Sequence, residues 1–124
     1  MIQFEDVSVI YNHKKEPVYA LNQINLRVNQ GEFIVLRGPS GSGKTTLLMS
    51  TGAMLRPTQG NIIIDDTNLY AMPISQRAVF RAQNIGFVFQ MFHLVNYLSV
   101  LENVMMAAHN KNSETEQKAQ AMLE

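Results

Sequence analysis

The sequence predicts an α/β fold, and three observations carry that expectation. A short β-branched and aromatic run at residues 33–36 enters a glycine-rich turn, which opens into a segment with helical apolar spacing at Leu47, Leu48, Thr51 and Leu55. Upstream, the runs from Ile2 to Val9 and from Leu21 to Val28 alternate apolar with polar residues, as half-buried strands do. At 124 residues the chain can hold one small domain with a core, but not two.

Composition narrows the function classes. Ten basic and ten acidic residues cancel, so no strong field argues for nucleic acid or an anionic membrane surface. The absence of cysteine removes disulfides and thiolate metal sites and fits a reducing compartment. His13, His93 and His109 lack metal-like spacing. No basic n-region with an apolar run opens the chain, and no apolar stretch nears the roughly 18–20 residues that span a bilayer. The expectation is a soluble, cytoplasmic protein.

The first strand is expected over residues 2–10, closed by Tyr11 and followed by a polar turn through residues 12–17. The second strand region, with Leu21, Ile24, Leu26 and Val28, would pair with the first as an antiparallel unit. Residues 29–32 then turn the chain into the strand at 33–36. The turn after that strand carries G-x-x-x-x-G-K-T, with Gly38, Gly43, Lys44 and Thr45 at the fixed positions, between a strand and a helix.

That spacing is what polyphosphate binding asks for. Gly38, Gly41 and Gly43 let successive backbone N–H groups converge on one anion without a Cβ in the way. The helix that starts near Lys44 adds its free N-terminal N–H groups and the positive end of its dipole. Lys44 supplies a mobile charge for the outer phosphates, and the Thr45 hydroxyl is placed to ligate Mg²⁺. A flexible glycine turn before a helix is the plainer alternative. The strand and helix flanks argue against it, and nucleotide binding is the reading adopted.

The helix should run from Lys44 to about Leu55 and stop at Arg56-Pro57. The run Asn61-Ile62-Ile63-Ile64-Asp65-Asp66 has the form of a Walker B element, an apolar strand ending in a carboxylate that holds Mg²⁺ through water. It follows the helix almost at once and leads into the turn-like Thr67-Asn68, so a hairpin strand with a solvated acidic end is preferred. A short helix is expected from Pro73 to about Arg81, then an apolar strand over residues 85–90. Residues 91–98 are rich in large apolar side chains at a place where a solvated loop is expected. Ser99 with Glu102 forms a capping box for a helix towards Ala108, and Ser113 with Glu116 repeats the pattern for a last helix with Ala119, Met122 and Leu123 on one side.

Taken together, these residues resemble the ATP-binding subunits of ABC transporters. Residues 38–48 are similar to that family's phosphate loop, Asn84-Ile85-Gly86-Phe87-Val88-Phe89-Gln90 to its Q-loop strand, and Leu98-Ser99-Val100-Leu101-Glu102-Asn103-Val104 to the helix opening that follows. The wording looks most like the lipoprotein-releasing, macrolide-exporting and FtsE-like branch. The resemblance implies a P-loop NTPase core with an incomplete parallel sheet and helices, an N-terminal antiparallel β unit and the start of a helical subdomain. The implied segments are 1–32, 33–90 and 91–124.

The same resemblance implies ATP and Mg²⁺ as ligands. Gly38, Ser40, Gly41, Ser42, Gly43, Lys44, Thr45 and Thr46 would hold the phosphates. Tyr11 would stack on adenine, the alternative being an ordinary strand-end tyrosine. Lys44 and Gln90 would act in hydrolysis, and Thr45 and Gln90 would contact the metal, the glutamine through an amide that both accepts and donates. A transmembrane permease is the implied partner, touching Met91, Phe92 and Leu94, which could equally pack internally. The family pairs two such subunits and works peripherally on the inner face of the membrane.

The family's LSGGQ-type segment, its Walker B strand with catalytic glutamate, its D-loop and its switch histidine are not in this sequence. The expectation is therefore the N-terminal part of the family domain, binding Mg-ATP weakly and not turning it over. Unpaired edges should also favour self-association. Two other readings stay open: a nucleotide- or partner-binding fragment without turnover, and a small P-loop kinase, for which only Arg77 and Arg81 are available as lid arginines.

Overall fold

A computed structural model describes residues 1–12, 16–91, 93–108 and 112–124. The chain divides into two compact units, Met1–Ile85 and Gly86–Glu124. In the first unit, strands β1 (Ile2–Asn12), β2 (Pro17–Val28), β3 (Gln59–Ile64) and β4 (Thr67–Asn68) form one antiparallel sheet in the order β2-β1-β3-β4. Helices α1 (Lys44–Thr51) and α2 (Ile74–Asn84) complete it.

The antiparallel unit expected from residues 2–28 is present, pairing Ile2 with Val28 at one end and Asn12 with Pro17 at the other. The part of the turn expected at residues 13–15 lies outside the described residues. The apolar residues of the pattern go to the core: Phe4, Val7, Val9 and Leu21 are buried with Ile62 and Ile64, and Leu47, Leu55 and Phe80 pack against them. The ladder is not regular. It slips between Phe4 and Val7, where Asp6 takes a positive φ of 48° and exchanges hydrogen bonds with the Asn25 side chain (3.0 and 2.7 Å). It slips again between Val9, opposite Leu21, and Ile10, opposite Tyr19, leaving Ala20 as an extra residue on β2.

The acidic run resolves as the hairpin reading expected. Asp65 and Asp66 both have positive φ (43° and 63°), the backbone of a two-residue turn whose twist suits flanking strands, and β3 pairs with β4 across it. The Asp65 carboxylate is exposed and pairs with the Met1 ammonium. At the turn before residue 33, Glu32 accepts from the Asn29 side-chain amide (3.0 Å) and backbone N–H (2.7 Å), and these bonds hold its carboxyl below its ordinary value.

Two expected strands are corrected. Residues 33–36 and 85–90 form no ladder among the described residues. Phe33 is 89% exposed and Val88 fully so. A parallel strand is held by hydrogen bonds on both sides and by covered faces; without neighbours, even a strongly β-prone run has nothing to fix it. α1 also ends at Thr51 rather than Leu55, where Ala53 takes a left-handed φ of 57° and the Ala53 and Met54 N–H groups close back on the Ser50 and Met49 carbonyls.

That end of α1 is pinned from outside. The buried Tyr70 hydroxyl lies 2.7 Å from the Ser50 carbonyl and 2.6 Å from that of Leu55, and Arg81 donates to the Ala53 carbonyl at 3.2 Å. The Arg77 guanidinium sits 4.9 Å over the Tyr70 ring. Cations and a hydroxyl thus meet the negative end of the helix.

In the second unit, α3 (Val100–Met105) starts at the expected capping box: Ser99 Oγ accepts from the Glu102 N–H, and Glu102 accepts from the Ser99 N–H. It ends at Met105, short of the expected Ala108. Asn103 reaches back, accepting from the Val95 N–H at 2.8 Å and donating to the Leu98 carbonyl at 3.1 Å. The α4 (Ser113–Ala121) cap is corrected by one residue, because the Asn112 side chain takes the Thr115 N–H before Ser113 can serve. Ala119 is buried as expected, whereas Met122 and Leu123 are exposed.

Burial pushes the Tyr70 hydroxyl up to about 12. A raised folded-state value stabilises the fold fully below the ordinary tyrosine range and ever less as pH climbs through about 12. Stability should therefore fall as pH rises from roughly 10 to 12. Tyr70→Phe should flatten that decline and cost about 1–2 kcal/mol at neutral pH. Urea unfolding across pH checks both; an unchanged alkaline slope in the variant would contradict the assignment.

Candidate functional site

The residues of the glycine-rich turn are brought together as a loop at the head of α1. Gly43 is the N-cap with φ 85°, and no side chain caps the helix. The first helical bond is Leu47 N–H to the Gly43 carbonyl (2.8 Å), so the N–H groups of Lys44, Thr45 and Thr46 have no partner within the helix. Gly38 and Gly41 also have positive φ (153° and 80°). These are the donors and the backbone conformations that an anion cradle needs.

Lys44 folds back over the loop. Its ammonium donates to the carbonyls of Gly38 (2.8 Å) and Pro39 (2.7 Å) and to Ser42 Oγ (3.3 Å). All three donors are used on neutral acceptors, and among the described residues no carboxylate pairs with it. The charge is held in place but not neutralised.

Residues 40–46 line one wall of an open cleft of about 560 Å³, within the range of ligand-sized sites. Tyr11, Val18, Tyr19 and Ala20 line the same cleft. The structure therefore brings Tyr11 together with Ser40, Gly41, Ser42, Gly43, Lys44, Thr45 and Thr46. Gly38 is not on that wall and enters through its carbonyl. Gln90 lies exposed at a bend in the second unit, with Met91 and Leu94 also exposed. Phe92 and His109 lie outside the described residues, as does His13.

Val18, Tyr19 and Ala20 were not singled out from the sequence. The signal for them is register: a hairpin that returns Tyr11 opposite Val18 carries Tyr19 to the same end of the sheet. The bulge at Ala20 does more. A Cβ placed on Gly43 would stand 2.2 Å from the Ala20 carbonyl oxygen, so glycine is what lets β2 rest against the loop.

An open α/β unit with a glycine-rich loop at a helix N-terminus and an aromatic-walled cleft is the arrangement that the phosphate-loop motif calls for. The family profile described as ABC transporter matches residues 21–124. The ABC transporter ATP-binding protein MJ0796 of Methanocaldococcus jannaschii is 40% identical over 84% of this chain and 44% of its own length. The lipoprotein-releasing system ATP-binding protein LolD 1 of Rhodopirellula baltica is also 40% identical, over 87% of this chain and 47% of its own. The solved dimeric structure of the MJ0796 cassette bound to ADP and Pi superimposes with a TM-score of 0.89 at 34% identity, covering 99% of this chain and 56% of that one.

This chain belongs to the ABC transporter ATP-binding family, and it spans about half the length of these relatives.

Gly41 and Gly43 share nearly the same φ, but a Cβ at Gly41 meets nothing within 4 Å. Gly43→Ala is therefore expected to destabilise the chain by about 1–3 kcal/mol more than Gly41→Ala, the cost of forcing backbone apart. Urea midpoints of the two variants measure the difference. Equal losses would show that the Ala20 approach carries no weight.

Proposed function

We propose that this chain is the nucleotide-binding part of an ABC transporter ATP-binding subunit, taking Mg-ATP in the cleft between Tyr11 and residues 40–46. The observation that carries the reading is the pairing in one cavity of uncapped helix N–H groups and a held, unneutralised lysine with an aromatic wall. Phosphates would take the backbone donors of residues 40–46 and the Lys44 ammonium, and adenine would lie on Tyr11.

The residues present suit Mg²⁺. Thr45, at the head of α1, offers a hydroxyl, and Gln90 is proposed to add an amide oxygen in the whole subunit. A small cation that keeps its waters and leans on substrate phosphate asks for no more protein than that. When bound, it would neutralise phosphate charge. Lys44 and Gln90 are proposed as the hydrolytic residues of the whole subunit. The 124-residue chain alone should bind without turnover, because its sequence offers no LSGGQ-type segment and no Walker B glutamate; general-base help is typically worth 10² to 10⁴ in rate.

A transmembrane permease is the proposed partner, with contact near Met91, Phe92 and Leu94. Met91 and Leu94 are 70% and 66% exposed, the state of apolar side chains that await a partner. None of the described helices is long and apolar enough to cross a membrane. Peripheral attachment on the inner face, through that permease, is proposed from the family.

Calorimetric titration of the chain with Mg-ATP tests the reading. Binding is expected, and Lys44→Ala should weaken it roughly 10- to 100-fold, the worth of a hydrogen bond to a charged group. Affinity unmoved by Lys44→Ala, or steady-state phosphate release that this substitution abolishes, would overturn the assignment in its first or second half respectively.

A further inference from the structure

We propose that the polar cavity beyond the C-terminal end of α1 is a second anion site, in which the Arg56 guanidinium and the Asn61 amide take the oxygens of a phosphate group. The cavity holds about 360 Å³, and Arg56, Thr58, Gln59, Asn61, Asn68 and Tyr70 line it. It shares no residue with the cleft at the head of the helix. What its side chains leave free is mostly donors. Thr58 Oγ1 accepts from the Ile10 N–H (3.0 Å), Asn61 Oδ1 from the Asn68 side-chain amide (3.0 Å), and Asn68 Oδ1 from the Tyr70 N–H (3.1 Å). Those acceptors are consumed inside the fold. The Thr58 hydroxyl proton, the Asn61 NH₂ and the Arg56 guanidinium have no partner among the described residues.

The chain as a whole is neutral, but this corner is not. No carboxylate of the described residues lines the cavity, and Glu5, opposite Asn61 in the ladder, accepts from Gln3 at 3.0 Å. Arg77 lies 4.9 Å over the Tyr70 ring with one guanidinium nitrogen buried and unpartnered, and Arg81 is spent on the neutral Ala53 carbonyl. None of these three arginines forms an ion pair among the described residues. The Tyr70 phenol registers them: burial raises it, while Arg77, Arg56 and Arg81 all pull the other way. Three uncompensated cations around one side chain favour a multivalent anion. Donors on separate side chains favour tetrahedral oxygens, whereas a carboxylate is satisfied by a single guanidinium fork. An arginine merely solvated at a turn, the plainer role, answers to ionic strength and not to the species of anion.

Side-chain ¹⁵N NMR of the intact chain, titrated at constant ionic strength and slightly alkaline pH with inorganic phosphate and separately with acetate, tests the site. Phosphate should shift the Arg56 Nε–H and Asn61 Nδ2–H₂ signals along a saturating curve, and acetate should not. Arg56 is exposed, so Arg56→Gln leaves the fold intact. That variant should raise the phosphate midpoint at the Asn61 signal about tenfold, the worth of a hydrogen bond to a charged group, and Lys44→Ala should leave it within about twofold. An arm with glycerol phosphate assigns the source: a lower midpoint than the free ion marks a monoester site, a higher one a site for the ion itself. Shifts that never saturate, an equal response to acetate, or an Asn61 midpoint unmoved by Arg56→Gln would each overturn the proposal, and none of them touches the nucleotide reading.

Discussion

The carbonyl of Ala20 stands where a side chain at residue 43 would be, and the site depends on that contact. Ala20 and Gly43 are more than twenty residues apart in sequence, yet the bulge brings them so close that a Cβ on Gly43 would stand 2.2 Å from the Ala20 carbonyl oxygen. Only glycine permits it, and Gly43 must also adopt a left-handed φ as the helix cap. One residue thus satisfies two independent demands. The consequence is positional: the aromatic end of the cleft cannot drift from the phosphate end without breaking the sheet register that buries Val9 and Leu21.

α1 is held asymmetrically, and the asymmetry follows from what each end is for. Its C-terminal turns are covered by Tyr70 and Arg81, which take the carbonyls of Ser50, Leu55 and Ala53. At its N-terminus the cap is Gly43, and no side chain takes a backbone N–H there. Leaving three or four N–H groups unpaired is costly in a buried site and tolerable in an open one, so a terminus with no side-chain cap, facing a cleft, is a standing preference for an anion.

What could be read from the sequence divides along a physical line. The antiparallel unit, the Asp65–Asp66 hairpin and the Ser99 capping box were legible because each is settled by local alternation, turn chemistry or a cap three residues away. The glycine-lysine-threonine spacing was legible for the same reason, since the loop and its helix are contiguous. The strands at 33–36 and 85–90 were not, because β-propensity describes a run and a ladder needs a neighbour. Nor were the bulge at Ala20 or the place of Tyr19 in the cleft; both come from register slippage across two strands, which no single run encodes. The α4 cap failed by one residue because asparagine and serine are near-equal caps and the sequence offers both in succession.

The lysine shows how such a loop can be ready for a charged ligand without one. An ammonium in a cleft needs acceptors, and a carboxylate would supply them at the cost of cancelling the charge. Lys44 takes two carbonyls of its own loop, at 2.8 and 2.7 Å, and a hydroxyl at the longer 3.3 Å. Carbonyl dipoles orient the cation and leave its net charge intact. The Ser42 contact is the weakest of the three by distance, so a phosphate oxygen can replace it while both carbonyl bonds persist. Binding would then exchange one long ammonium–hydroxyl bond for an ammonium–phosphate pair in which both partners are charged, with little conformational entropy still to lose. The same carbonyls belong to Gly38 and Pro39, so the loop's shape is itself braced by Lys44, and truncating that side chain removes the brace and the charge at once.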